Sequence, residues 1–118
     1  MPLRQSFTAV LERNTTIRED FATEPYEVGW ATEARWFVRV LGCTGEAARL
    51  VLTAQISPDG MHWCDHGSSP MVITRQGDAL PELCSLGLTH FGQWLRLRGE
   101  CVGEAANFTV IIYLSLKE

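Results

Sequence analysis

The segment His62-Trp63-Cys64-Asp65-His66 concentrates residue types that bind metal ions. In a strand, His62, Cys64 and His66 share one face, and side chains two positions apart can hold one zinc ion. Because a strand rises about 3.3 Å per residue, His62 and His66 lie about 13 Å apart and cannot both bind one ion at about 2 Å. At most two ligands come from this segment, so we expect no metal and no cofactor.

Cysteine nucleophiles are the second chemistry to consider. Cys64 or Cys84 can formally pair with His90, but the sequence offers no strained elbow and no helix N-terminus to activate a thiol. The glycines are scattered and form no phosphate loop. We therefore expect a protein that is not an enzyme. Its four cysteines are dispersed and should remain reduced, because we find no export signal.

Charge and composition exclude further classes of protein. The chain has 118 residues and a formal net charge of -4, which removes the positive surface that nucleic-acid binders carry. With 46% hydrophobic and 20% charged residues, it has the composition of a globular protein. No apolar run approaches the eighteen or so residues that span a bilayer. We expect no nucleic-acid or membrane partner and a cytoplasmic location in the producing cell.

Alternation of apolar and polar residues predicts strands. It is clearest over Arg49–Ser57 and Asn107–Lys117, and it recurs over Arg35–Leu41 and Gln93–Cys101. Shorter strands are expected at Ser6–Leu11, Met61–His66, Met71–Arg75 and Pro81–Leu86. Pro58-Asp59-Gly60 supplies turn residues for a hairpin between Arg49–Ser57 and Met61–His66.

These elements predict an all-β fold, an antiparallel β-sandwich of about eight strands, like a jelly roll and with little helix. The residues expected to be buried are Trp36, Leu52, Ile56, Leu97, Phe108, Val110 and Ile112. No linker, charge block or repeat of fixed period is expected, so we predict a single domain.

Several apolar side chains do not fit the alternation. Tyr26 and Trp30 could plug the open end of the sandwich, contact a neighbouring subunit or stack a sugar ring. Residues 1–24 form an N-terminal strand or arm before the sandwich of residues 25–118, and the arm could cross to an adjacent chain. The candidate contact residues are Phe7, Leu11, Phe21, Tyr26, Trp30, Ile111 and Tyr113.

Three motifs give the chain a family likeness: Pro25-Tyr26-Glu27-Val28-Gly29-Trp30, the turn Ser57-Pro58-Asp59-Gly60 with Trp63, and Phe91-Gly92 with Trp94-Leu95-Arg96-Leu97. With them the chain resembles small β-sandwich proteins of tailed bacteriophages and prophages, found as capsid decoration or as head and tail accessory subunits. The resemblance implies a structural subunit of a virion that forms a homo-oligomer, with a trimer favoured, and contacts other virion proteins. The alternative is a carbohydrate-binding module, because both classes use such sandwiches.

Overall fold

The computed structural model describes residues 6–75 and 79–118, and this part of the chain is built from strands without a helix. The strands are β1 (Ser6–Ile17), β2 (Phe21–Ala22), β3 (Tyr26–Glu27), β4 (Glu33–Thr44), β5 (Arg49–Ser57), β6 (Cys64–Asp65), β7 (Met71–Thr74), β8 (Leu83–Thr89), β9 (Trp94–Val102) and β10 (Asn107–Lys117). The all-β prediction is confirmed.

The strands form two antiparallel sheets. Sheet A has the order β1-β10-β4-β8. In sheet B, β9 and β5 lie at the centre, the short strands β2 and β3 pair with the outer edge of β9, and β6 and β7 pair with that of β5. If β2 and β3 are counted as one edge strand, and β6 and β7 as another, each sheet has four strands. This order is that of a jelly roll, as the sequence predicted.

Each predicted strand has a counterpart in the structure, but the predicted Ser6–Leu11 strand continues to Ile17, the Pro81–Leu86 strand lies at Leu83–Thr89, and the hairpin after β5 differs most. The bounds of β5 and β10 are those predicted, and β4 is longer at both ends than Arg35–Leu41. The predicted strand Met61–His66 shrinks to Cys64–Asp65. Its first N–H groups, those of Met61 and His62, donate to Asp59 Oδ1 at 2.9 Å and are therefore lost to the sheet.

The core lies between the inner faces of the two sheets. Six of the seven residues predicted to be buried are inaccessible, among them Trp36, Phe108 and Ile112. Ile56 is a correction. It lies near the end of β5, where it packs against the core but stays partly exposed, while the neighbouring Gln55 and Ser57 are buried.

A short motif occurs twice, at equivalent turns. Cys43-Thr44-Gly45-Glu46-Ala47-Ala48 joins β4 to β5, and Cys101-Val102-Gly103-Glu104-Ala105-Ala106 joins β9 to β10; five of the six positions are identical. Both turns have positive φ at the glycine, and Ala47 and Ala105 each have φ of 52°. Each turn crosses between sheets, and the following strands bury their side chains at equivalent positions.

The repeat extends to the topology. Exchanging β1 with β7, β3 with β8, β4 with β9 and β5 with β10 converts the strand order of sheet A into that of sheet B. The jelly roll therefore consists of two similar units of about half a chain each, and each unit contributes strands to both sheets.

The N-terminal segment belongs to this sandwich. Over Ser6–Ile17 it pairs with β10 of its own chain, and β2 pairs with β9. The predicted boundary at residue 24 lies between β2 and β3, which both pair with β9. Within one chain, β10 provides a partner for the N-terminal segment, with register shifts after Val10 and Glu12.

Candidate functional site

The candidate metal ligands serve other contacts. The exposed His62 ring lies 2.7 Å from Asp59 Oδ2, and Nε2 of His66 lies 2.8 Å from the carbonyl oxygen of Thr89. Since a carbonyl only accepts, Nε2 of His66 carries the proton. Cys64 is exposed on β6. Within residues 6–75 and 79–118, no three metal-binding side chains are grouped.

The cysteines show no activated thiol. All four are free, and burial raises the pKa of Cys43, Cys84 and Cys101 above the ordinary value, which keeps these thiols protonated near neutral pH. His90, the suggested partner of Cys84, has its Nδ1 3.1 Å from the Thr89 hydroxyl. The structure therefore does not bring the suggested nucleophile and base together by a hydrogen bond.

The N-terminal aromatic residues close one end of the sandwich. Phe7 and Tyr26 stack with ring centroids 6.1 Å apart, and Tyr26 and Trp30 pack against the core. A cavity of about 370 Å³ remains beside them, lined by Ser6, Phe7, Tyr26 and Trp30. Phe7 therefore occupies one face of the Tyr26 ring.

The other two N-terminal candidates are used within the chain. Phe21 lies across Gly99 of β9, so closely that a Cβ at residue 99 would be 2.0 Å from its ring. Leu11 is partly buried against the core. Phe21 and Leu11 therefore make their contacts within the chain.

The outer face of sheet A carries exposed apolar side chains. Odd-numbered residues of β4 and β10 point outward, opposite their buried even-numbered neighbours. The register aligns Val10, Tyr113 and Phe37 in one row across β1, β10 and β4. Ile111 and Leu83 flank Arg39 in the next row, and Leu83 is 55% exposed. We call Val10, Phe37, Leu83, Ile111 and Tyr113 the apolar belt.

A groove continues the same face beyond the belt. Its volume is about 400 Å³, and Phe37 marks the boundary with the belt. We call it the basic groove. It is lined by Gly87 and by six residues whose side chains point outward: Glu33, Arg35, Phe37, Thr89, Ser115 and Lys117. Arg35 Nη1 donates to Ser85 Oγ at 2.9 Å, and the guanidinium lies over Gly87.

Charge separates this face from the rest of the protein. Across β4, β8 and β10 the outward residues include Arg35, Arg39 and Lys117 but only one carboxylate, Glu33. Their net charge is therefore +2, and the remainder of a chain with net charge -4 carries -6. Segment 18–27 is the clearest acidic stretch, with four carboxylates and one arginine.

The chain's own loop covers part of the outer face of sheet B, whereas Val72 on β7 of the same face remains 51% exposed. Arg96 Nε donates to Gln55 Oε1 at 2.7 Å, and Gln55 Nε2 donates to Asp65 Oδ1 at 2.9 Å. The Arg96 guanidinium lies 4.4 Å from the centre of the Trp63 ring. These two hydrogen bonds and the cation–π contact attach the loop to sheet B, which is a structural role.

Sequence reasoning had identified Ile111 and Tyr113 but not the other residues of the face. The alternation over Arg35–Leu41 places Arg35, Phe37 and Arg39 on one side. However, it does not tell which strands lie beside β4. Only the register brings Val10 and Leu83 next to this strand.

Among the described residues, no helix is long and apolar enough to cross a membrane. In comparisons with known proteins, neither a protein-family model nor a curated protein matches this chain.

Proposed function

We propose that the protein is a non-enzymatic structural subunit that assembles with copies of itself through the outer face of sheet A. The apolar belt is the observation that carries the proposal. Five exposed or half-buried apolar side chains lie in two neighbouring rows of one sheet face, around Arg39, and apolar patches on small proteins mark interaction sites. The jelly roll is compatible with this use, because viral capsid domains employ it.

The distribution of charge favours another copy of the chain as the partner. Stacking the face of sheet A on itself would bring together two surfaces of charge +2, whereas a neighbour's remaining surface carries -6. Opposite charges favour a head-to-tail contact with an acidic surface such as segment 18–27. A head-to-tail contact that closes gives a ring, and a trimer is the smallest ring of this kind.

The likeness to bacteriophage accessory proteins gives the proposal its context. A subunit of a capsid, head or tail needs no catalytic group and gains from repeated contacts between identical chains. The proposal therefore places the protein in a virion or, before assembly, in the cytoplasm of the producing cell. Carbohydrate binding through Tyr26 and Trp30 is less favoured, because their rings pack into the sandwich end.

Sedimentation velocity over a range of concentrations tests the proposal. The wild type should sediment as a small closed oligomer at roughly 100 µM and dissociate as salt is added, because salt screens the charge contact. Leu83→Asp should be a folded monomer. Val72→Asp is the matched control, since Val72 is 51% exposed but lies on β7 of sheet B. A monomeric wild type, or equal loss of mass in both variants, would contradict the proposal.

A further inference from the structure

The basic groove presents two cations without acidic partners. Apart from the bond to Ser85, the guanidinium of Arg35 meets no acceptor in the part of the chain that the structure describes. The Lys117 ammonium likewise makes no hydrogen bond or ion pair there. A guanidinium has donors in a planar fork that matches the two oxygens of a carboxylate. The groove thus offers a binding position for one carboxylate.

Groups that suit hydroxyls surround these cations. Glu33 faces Lys117 across the β4–β10 register without an ion pair, and the hydroxyls of Ser115 and Thr89 lie on neighbouring strands. A carboxylate accepts hydrogen bonds from ligand hydroxyls and repels a second negative charge. This combination favours a ligand with one negative charge and several hydroxyls over a densely charged polyanion.

The shape of the groove fits a small ring. Gly87 has no side chain, so the Arg35 guanidinium can lie over β8; a Cβ at this position would be 2.6 Å from Arg35 Nη2. Phe37 adds a half-buried apolar wall. The volume of about 400 Å³ is within the range of small-molecule sites, which combine apolar walls with a few placed polar groups.

We infer that the basic groove binds a hexuronate unit of an acidic glycan, with Arg35 and Lys117 holding the carboxylate. Glu33, Ser115 and Thr89 bind its hydroxyls, and the apolar face of the ring packs against Phe37. The inference goes beyond the proposed assembly and does not depend on it, because all of these residues belong to one chain.

Isothermal titration calorimetry with trigalacturonate, the corresponding neutral galactose trisaccharide and galactose 6-phosphate tests this site. We expect trigalacturonate to bind and the neutral sugar to bind at least about tenfold more weakly, since a hydrogen bond to a charged group contributes more than one between neutral groups. No binding of trigalacturonate at about 10 mM, or equal binding of the neutral sugar, would overturn the inference. Stronger binding of the sugar phosphate would overturn the choice of a carboxylate.

Two matched pairs of variants locate the ligand. Arg35→Gln should lower the affinity at least about tenfold, while Arg39→Gln, which removes an exposed cation of the same face outside the groove, should not. Gly87→Ala should also weaken binding, because its methyl group displaces the Arg35 guanidinium. Gly42→Ala has open space around the new methyl group and should bind as the wild type does.

Leu83→Asp separates this site from assembly. The monomeric variant should bind trigalacturonate at least as tightly as the wild type, because Leu83 lies outside the groove lining and no neighbour's acidic surface competes for Arg35 and Lys117. The groove would be rejected as the binding site if Arg35→Gln bound trigalacturonate as tightly as the wild type. It would also be rejected if Leu83→Asp no longer bound this ligand. A failure of assembly alone, with the Arg35 effect intact, would reject only the proposed function.

Discussion

The two sheets of this jelly roll share one plan on the inside and differ on the outside. Their strand orders interconvert when the two units are exchanged, and both inner faces contribute fully buried side chains to one core. Outside, Trp63, Gln55, Asp65 and Arg96 form a closed network over sheet B. Sheet A exposes the apolar belt and cations that have no acidic partner among the described residues. The inner layer therefore follows from folding, whereas the outer faces are where the two sheets differ.

The edges of the sheets show the same asymmetry. Sheet A ends in the long strands β1 and β8, whereas each edge of sheet B is broken into two short strands. The segment between β5 and β6 breaks one of these edges and contributes Trp63 to the network over sheet B. Short edge strands also discourage pairing with other chains. On β1, register shifts after Val10 and Glu12 interrupt a regular edge.

Core truncations should show that both sheets belong to one cooperative unit. Leu97→Ala in sheet B and Ile112→Ala in sheet A each remove side chain from a fully buried position, and each should lower the free energy of unfolding by about 2–5 kcal/mol. Urea denaturation followed by circular dichroism measures both. If either variant lost less than about 0.5 kcal/mol, the corresponding inner face would have been assigned wrongly.

A glycine in each sheet tests how closely other side chains pack against its backbone. Gly99→Ala should cost about 1–3 kcal/mol, because its new methyl group would meet the Phe21 ring. Gly42→Ala in sheet A should change stability by less than about 0.5 kcal/mol, since nothing lies near its Cβ position. Equal effects in chemical denaturation would show that Phe21 does not pack against Gly99 as described.

Truncating one outer residue of each sheet should separate support from assembly. Trp63→Ala should cost about 1–2 kcal/mol, because it exposes the Arg96 network and removes the cation–π contact. Leu83→Ala should change the stability of the monomer by less than about 0.5 kcal/mol, because Leu83 is already mostly exposed. Sedimentation should show the opposite ranking, with the larger loss of oligomer for Leu83→Ala. The reverse result would move the interface to sheet B.

Local alternation was sufficient to predict the inner layer of the fold. Arg49–Ser57 and Asn107–Lys117 have their predicted bounds, and Trp36 and Phe108 are buried as predicted. Strands β2 and β3 escaped prediction because two residues cannot show a period of two. The repeated turn after Cys43 and Cys101 was readable in the sequence, but the strands beside it share few residues.

The outer face depended on information that the sequence does not carry locally. Phe37 and Tyr113 lie side by side because β4 pairs with β10, although more than 70 residues separate the two positions along the chain. The closed network over sheet B depends in the same way on the position of Trp63 above Arg96. Alternation indicates which side of a strand is exposed to solvent, whereas the register between strands determines which exposed residues lie next to one another.

Acid should loosen the loop beside sheet B before it affects sheet A. The N–H of His62, the His62 ring and the N–H of Met61 bond the Asp59 carboxylate and hold its pKa well below the ordinary value. Because the folded-state pKa is the lower one, its stabilising contribution is present above the unfolded pKa of about 4 and is lost as pH falls further. Below about pH 4, the urea midpoint of the wild type should therefore fall more steeply than that of Asp59→Asn, whose amide does not titrate in this range.

Asp65→Asn is the comparison on the same sheet, since its single bond from Gln55 lies outside the turn. Parallel curves for the wild type and Asp59→Asn would show that the turn does not depend on the Asp59 charge, and the shortening of the Met61–His66 strand would then need another cause.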